Sequence, residues 1–298
     1  MKIGYPCINR SIKCRGNKTF RLKSYSEERL IRTVENNLDC LKKMLEYNIK
    51  NNIFFFRITS DLVPFASHPV CTFFWQKHFK EDFFELGQII KQNNIRISMH
   101  PDQFIVLNSN KKEVVKRSIK ELMYHAEILD LMKLEKTSKI QLHLGGAYGD
   151  KEKSIQRFID NYKKLDTKIK KRLVIENDDR IYSLRECLFL SSKTKIPILF
   201  DVFHHKILNN NERTVDGIKE ISKTWNSKDG IPMIDYSSQE KDMKKGKHAE
   251  TIDINDFKNF LSKTKQYDFD IMLEIKDKEK SALKAIKMAK NDPRFIKI

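Results

Sequence analysis

The chain has 298 residues, 40% of them apolar and 33% charged, enough for a packed core beneath a heavily solvated surface. No apolar run approaches the roughly 18–20 residues needed to cross a bilayer, so no membrane partner is expected. The formal net charge of +18 points to a polyanionic partner such as nucleic acid, since clustered Lys and Arg gain from counterion release. The abundance of Lys, Asn and Ile also fits an AT-rich genome.

Met1–Tyr5 leads straight into a strand-like segment, with no signal or transit peptide in view. The cysteines Cys7, Cys14, Cys40, Cys71 and Cys187 are odd in number, scattered and without a CxxC pair. That pattern argues against a zinc ribbon and against a secreted disulfide scaffold, and a reducing cytoplasm fits it best.

In chain order, eight apolar segments read as strands: Ile3–Pro6, Ile53–Ile58, Ile95–Met99, Ile140–Leu144, Leu173–Ile175, Ile198–Phe200, Pro232–Tyr236 and Phe269–Ile275. Between them run stretches with helical spacing. Glu27–Ile49 places Leu30, Val34, Leu38, Leu41 and Leu45 on one face, with Ser26 as its N-cap. Helices are also predicted over Phe79–Gln92, Val114–Met132, Ser154–Ile169, Leu184–Ser192, Ile254–Lys263 and Ser281–Ala289. Asn209–Lys247 is the least regular region and reads as long polar loops around the seventh strand, with Lys241–Lys247 available for phosphate contact.

Strands alternating with helices over the whole length predict a single (β/α)8 TIM barrel spanning residues 1–298. A doubly wound open sheet is the alternative. No Pro/Gly/Ser-rich linker divides the chain.

Barrel enzymes carry their chemistry at the C-terminal ends of the strands. Those ends hold His100, His143, Glu176, Asp201 with His204, Asp235 and Glu274, with His68 and His248 further downstream. Of the eight histidines, only His78 and His125 fall in or directly beside helical stretches, as surface or core residues. Asp201 could equally be a plain helix N-cap. Imidazole mixed with carboxylate, without cysteine, suits Zn²⁺, Mn²⁺ or Fe²⁺. The donors are too many for one ion, and Glu176 is placed to bridge two. The chemistry implied is metal-assisted displacement at phosphorus. Sugar isomerases on barrels are the rival, but they have no use for such a positive charge.

These motifs together resemble the UV damage endonucleases, whose barrel is similar to that of endonuclease IV. The resemblance runs from Ile3–Asn9 (IGYPCIN) through Ser98–Gln103 (SMHPDQ), Leu142–Gly146 (LHLGG), Val174–Asp178 (VIEND), Asp201–His205 (DVFHH) and Asp235–Gln239 (DYSSQ) to Leu273–Lys276 (LEIK). It implies an enzyme with two or three divalent ions, Mn²⁺ first and Zn²⁺ second, that cuts immediately 5′ of a lesion and leaves a 3′-hydroxyl. Damaged double-stranded DNA is then the partner, with no organic cofactor, and a monomer is expected.

By motif match, the resemblance implies that His100, His143 and Glu176 hold a first ion. Glu176, Asp201 and Glu274 contribute to a second, His204 and His248 hold a third, and His68 stands close by. Metal-bound hydroxide is the expected nucleophile, with Glu176, Asp201, Glu274 and His143 as the catalytic set. Gln103 and Phe104 match a probe inserted at the lesion, and Tyr5 and Asn9 match its damage pocket.

The chain departs from the family pattern in three places. Phe104 stands where a tyrosine is expected, and Met233 and Asp235 replace a lysine, carboxylated in some members, and a histidine ligand. Asp235 remains a hard oxygen ligand, whereas Met233 cannot stand in for a carboxylated lysine. The other readings are an abasic-site endonuclease of the endonuclease IV type, a sugar isomerase or epimerase, and a non-catalytic damage-binding protein.

Overall fold

Short apolar runs bounded by helical stretches bury themselves by pairing side by side, and here all eight do so in parallel. The computed structural model describes residues 1–296. The first half runs β1 (Ile3–Pro6), α1 (Glu27–Lys50), β2 (Phe55–Ile58), α2 (Trp75–His78), α3 (Lys80–Gln92), β3 (Arg96–Met99), α4 (Lys112–Leu131) and β4 (Lys139–His143). It continues with α5 (Lys151–Lys163), α6 (Thr167–Lys170), β5 (Leu173–Glu176), α7 (Leu184–Thr194), β6 (Ile198–Asp201), α8 (Val202–Ile207) and α9 (Thr214–Ser222). The last elements are β7 (Met233–Tyr236), α10 (Ile254–Lys263), β8 (Asp270–Leu273) and α11 (Glu279–Ala289).

The strands follow chain order around a closed barrel, and β1 pairs with β8 to shut it. This is the TIM barrel read from the alternation of elements. Closure demands a close approach at Gly4, where a Cβ would sit 1.7 Å from the Phe55 carbonyl oxygen. Any side chain there forces β1 away from β2.

α1 shows how local signals and packing agree. Ser26 Oγ accepts from the Arg29 N–H at 3.2 Å, and Leu30, Val34, Leu38, Leu41 and Leu45 are buried against the barrel. Elsewhere the structure corrects the reading. The helix predicted over Ser154–Ile169 is broken in two, because Asp166 caps a new turn by accepting from the Lys168 N–H at 2.7 Å. The region read as polar loops contains α9, whose Ile218 and Ile221 are buried. The eighth strand is shorter than Phe269–Ile275, pairing only over Asp270–Leu273. Cys14 and Cys40 form a disulfide, which their separation of 26 residues without any paired motif did not announce. Cys7, Cys71 and Cys187 are free.

Inside a barrel, alternate residues of each strand face the axis. At the N-terminal end the inward residues include ion pairs: Arg96 donates to Asp270 at 2.8 Å and Lys139 to Asp229 at 2.5 Å. At the opposite end the inward residues include His143, Glu176 and Asp201.

Candidate metal centre

Glu176 and Asp201 are the last residues of β5 and β6, and His143 is the last of β4. His143 and Glu176 are register partners on neighbouring strands. His100 follows β3, His204 lies in α8, and Glu274 directly follows β8. Their side chains converge. His100 Nε2 and His143 Nε2 lie 3.3 and 3.5 Å from Glu176 Oε2, and His204 Nδ1 lies 3.3 Å from Glu176 Oε1. Three imidazoles thus address one buried carboxylate.

Asp201 is the helix N-cap, and one of its oxygens remains unpaired. Its Oδ1 caps α8 by accepting from the His204 N–H at 2.7 Å, while the buried Oδ2 has no hydrogen-bond partner among the described residues and faces His204 Nδ1 at 3.5 Å. His248 donates from Nδ1 to the Glu274 carbonyl at 2.8 Å and packs its ring edge-on against Phe203. That bond leaves its other nitrogen free as an acceptor.

Ligand atoms lie within 4.8 Å of one another in three groups: His100, His143 and Glu176; Glu176, Asp201 and His204; and Asp201, Asp235 and Glu274. The first two, mixing imidazole with carboxylate, are donor sets that can hold divalent ions. The unpaired oxygen of Asp201 is the kind of buried atom a cation satisfies.

The electrostatics agree. Burial drives the Asp201 carboxyl up to about 7, against the pull of His204 and with the push of Glu176 and Glu274. Burial alone would lower His204, yet the carboxylates of Asp201 and Glu176 take it up to about 11. Burial also opposes ionisation of Glu176, but His143, His100 and His204 hold it well below the usual carboxylate range. Crowded buried carboxylates need cations, and this basin gathers them from every side.

Sequence reasoning missed Arg57. It lies within the run Ile53–Ile58, and its side chain is 3% exposed. It donates from Nη2 to both Asp235 oxygens at 2.8 and 2.7 Å and to Gln141 Oε1 at 2.7 Å, and it pairs through Nη1 with Glu274. Gln141 in turn donates from Nε2 to Glu176 Oε2 at 2.5 Å and to Asp235 Oδ2 at 2.7 Å. The signal for both was a polar residue in a strand at an inward position, legible only once the register is known.

Other expected site residues lie elsewhere. His68 is not brought to the cluster; it sits in an exposed turn with its ring edge-on to Phe65 and its Nδ1 accepting from the Val70 N–H. Tyr5 is fully buried and points outward to the helix layer, where its hydroxyl donates to Asn48 Oδ1 at 2.8 Å and accepts from Asn9 Nδ2 at 2.9 Å. Asn9 Oδ1 accepts from the backbone of Ser11 and Ile12, closing a turn. Neither side chain lines the cavities at the mouth. Met233 is buried in the barrel. His78 is exposed, His125 is core, and His205 is turned away from the basin with Nε2 3.0 Å from the Glu212 carbonyl.

Gln103 and Phe104 stand at the rim, where Phe104 is 67% exposed rather than packed in the core. They border a cavity of about 630 Å³ that also touches His143, His204, Lys111, Tyr148 and Arg180. A second cavity of about 430 Å³ runs past Arg57, His100, Glu274, Lys276 and Lys278. The acidic basin therefore opens between basic walls. No helix among the described residues is long and apolar enough to cross a membrane.

Comparison with known proteins agrees with this geometry. A family model described as UV-endonuclease UvdE matches residues 1–295. A Clostridium perfringens protein named UV DNA damage endonuclease is 44% identical over 97% of this chain and 71% of its own length. The crystal structure of SacUVDE superposes with a TM-score of 0.93 at 48% identity, covering 97% of this chain and 98% of that one. Endonuclease IV from Thermus thermophilus shares the fold alone, with a TM-score of 0.53 at 15% identity over 78% of this chain and 87% of its own. The chain belongs to the UV-endonuclease UvdE family of endonucleases.

Proposed function

We propose that this enzyme nicks double-stranded DNA immediately 5′ of ultraviolet photoproducts and leaves a 3′-hydroxyl end, with abasic and other distorting lesions as further substrates. It works as one domain over residues 1–298, as a monomer, on DNA in the cytoplasm. The observation that carries the reading is the convergence of His100, His143 and His204 on Glu176 beneath a basic mouth.

On this reading His100, His143 and Glu176 hold one divalent ion, and Glu176, Asp201 and His204 a second. Glu274 and His248 flank them. Mn²⁺ suits the oxygen-rich share of the donors and Zn²⁺ the imidazoles. Bound there, such ions supply Lewis acidity that lowers the pKa of an attacking water and offsets charge on the leaving oxygen.

The protein's own part is positioning. Gln141 steadies the Glu176 carboxylate from below, and the Asn177 carbonyl accepts from His204 Nδ1 at 3.0 Å and fixes its ring. Such partners orient ligand groups and set their basicity. Lys111 and Arg180 on one side and Lys276 and Lys278 on the other neutralise phosphates, giving salt-sensitive affinity. Phe104 has no core to fill and is free to enter the stack that a lesion has loosened, with Gln103 beside it. A damaged dinucleotide is already poorly stacked, so extruding it costs less than flipping intact bases.

The test is an end-labelled duplex carrying a single pyrimidine dimer, incubated with enzyme and Mn²⁺. The expected product ends at the nucleotide 5′ of the dimer and is extended by a polymerase. Incision on the 3′ side, or an end that cannot be extended, contradicts the reading.

A further inference from the structure

The third group of candidate ligands differs from the other two. Asp201, Asp235 and Glu274 bring carboxylate oxygens within 4.8 Å of one another, yet two of the three already share a cation. Arg57 Nη2 reaches both oxygens of Asp235 at 2.8 and 2.7 Å, and its Nη1 pairs with Glu274. Asp235 Oδ2 also accepts from Gln141 Nε2 at 2.7 Å. With three hydrogen bonds from two donor groups on its two oxygens, Asp235 has little left to offer a metal. The pairing is buried, the side chains of Arg57 and Asp235 being 3% and 0% exposed, so solvent does not compete for it.

We infer that Arg57 occupies the place of a third ion: the centre takes two divalent metals, and the guanidinium is its fixed third cation. Asp235 is then the partner of Arg57 rather than a metal ligand. Met233, two residues earlier on β7, is buried and carries no oxygen. No donor on this strand therefore remains to complete a third metal.

Charge supports the same count. Of the carboxylates Glu176, Asp201, Asp235 and Glu274, two already have the fixed cation Arg57 as their partner, which leaves Glu176 and Asp201 for metals. In a buried basin, excess charge of either sign is costly. Arginine suits the position because it stays protonated and its planar fork matches carboxylates. It also differs from a metal in function, since it offers no open coordination position for water. Arg57 is therefore a positioning residue, which holds Glu274 and Asp235 and, through Gln141, the Glu176 carboxylate.

This inference rests on the metal-dependent reading above, and the test separates the two. The full chain is stripped with a chelator, reloaded with Mn²⁺, freed of unbound ion and assayed for manganese per chain, with circular dichroism as a check on folding. About two ions per chain are expected for the wild type, and still about two for Asp235→Asn. For Arg57→Gln the count is expected to rise to about three, because Asp235 and Glu274 are released to a metal. Three ions in the wild type, loss of an ion in Asp235→Asn, or an unchanged count in folded Arg57→Gln overturns the inference while leaving metal-dependent incision intact. A chain that holds no ion would overturn both. Should Arg57→Gln fail to fold, the wild-type and Asp235→Asn counts decide.

Discussion

His143 Nε2 lies 3.5 Å from Glu176 Oε2, between residues that are direct register partners on adjacent strands. The contact is thus set by the barrel's hydrogen bonding and does not depend on any loop. Glu176 is also the point where His100 and His204 meet.

That position makes Glu176→Gln the informative change at the centre. The amide keeps the shape but gives up the charge that both proposed ion sites share. Nicking of irradiated DNA is expected to fall by roughly 100-fold or more, in line with loss of a ligand shared by two ions. The fold should persist but its melting temperature should fall, because the charge that three imidazoles hold ionised is lost and leaves them unpaired. Full activity in this variant would sink the assignment of the centre.

Phe104 gives the opposite separation. A side chain 67% exposed contributes little to folding, so Phe104→Ala should change stability by less than about 0.5 kcal/mol. Loss of an apolar wedge should nonetheless lower incision at photoproducts by roughly 10-fold, about the worth of one stacking contact. Urea melts and initial nicking rates on the same preparation check both. A large loss of stability would show that Phe104 is packed after all.

His125 gives a prediction about acid stability. Burial lowers its pKa from 6.5 to about 4, against the help of the Glu121 carbonyl, which lies 2.8 Å from Nδ1. The Glu121 carboxylate stands 3.7 Å from the same nitrogen. The folded-state pKa is the lower one, so the unfolded chain takes up the proton first. The contribution of this group is full above pH 6.5 and is lost as pH falls toward 4. At most it amounts to about 3 kcal/mol, from the pKa difference. Stability against pH for the wild type minus that for His125→Gln should show this loss across the window. A difference curve that stays flat from pH 7 to 4 contradicts it.

Much of this was readable from residues alone, and the misses have physical causes. Short apolar runs separated by helical spacing dictate a barrel, and reading the strand ends picks out Glu176, Asp201 and Glu274, which the structure places in neighbouring clusters. Parity is harder to read. Tyr5 was expected to line a pocket, but on β1 it falls on the outward face, and a shift of one residue in a strand reverses every side chain. Arg57 was hidden for the same reason, as one charge inside a run of phenylalanines whose inward positions depend on register. His68 was matched by motif, yet it lies in a turn whose path no strand controls. Residues at strand ends were therefore legible, whereas the facing of residues within strands and the paths of loops were not.

The measurement that tests the account most directly is nicking of supercoiled plasmid, either irradiated, depurinated or untouched, with Mn²⁺ and then with EDTA. The account predicts nicking of the irradiated plasmid that EDTA abolishes and added Mn²⁺ restores, with untouched plasmid left closed. Cutting confined to depurinated plasmid, or cutting of irradiated plasmid that persists in EDTA, would contradict it.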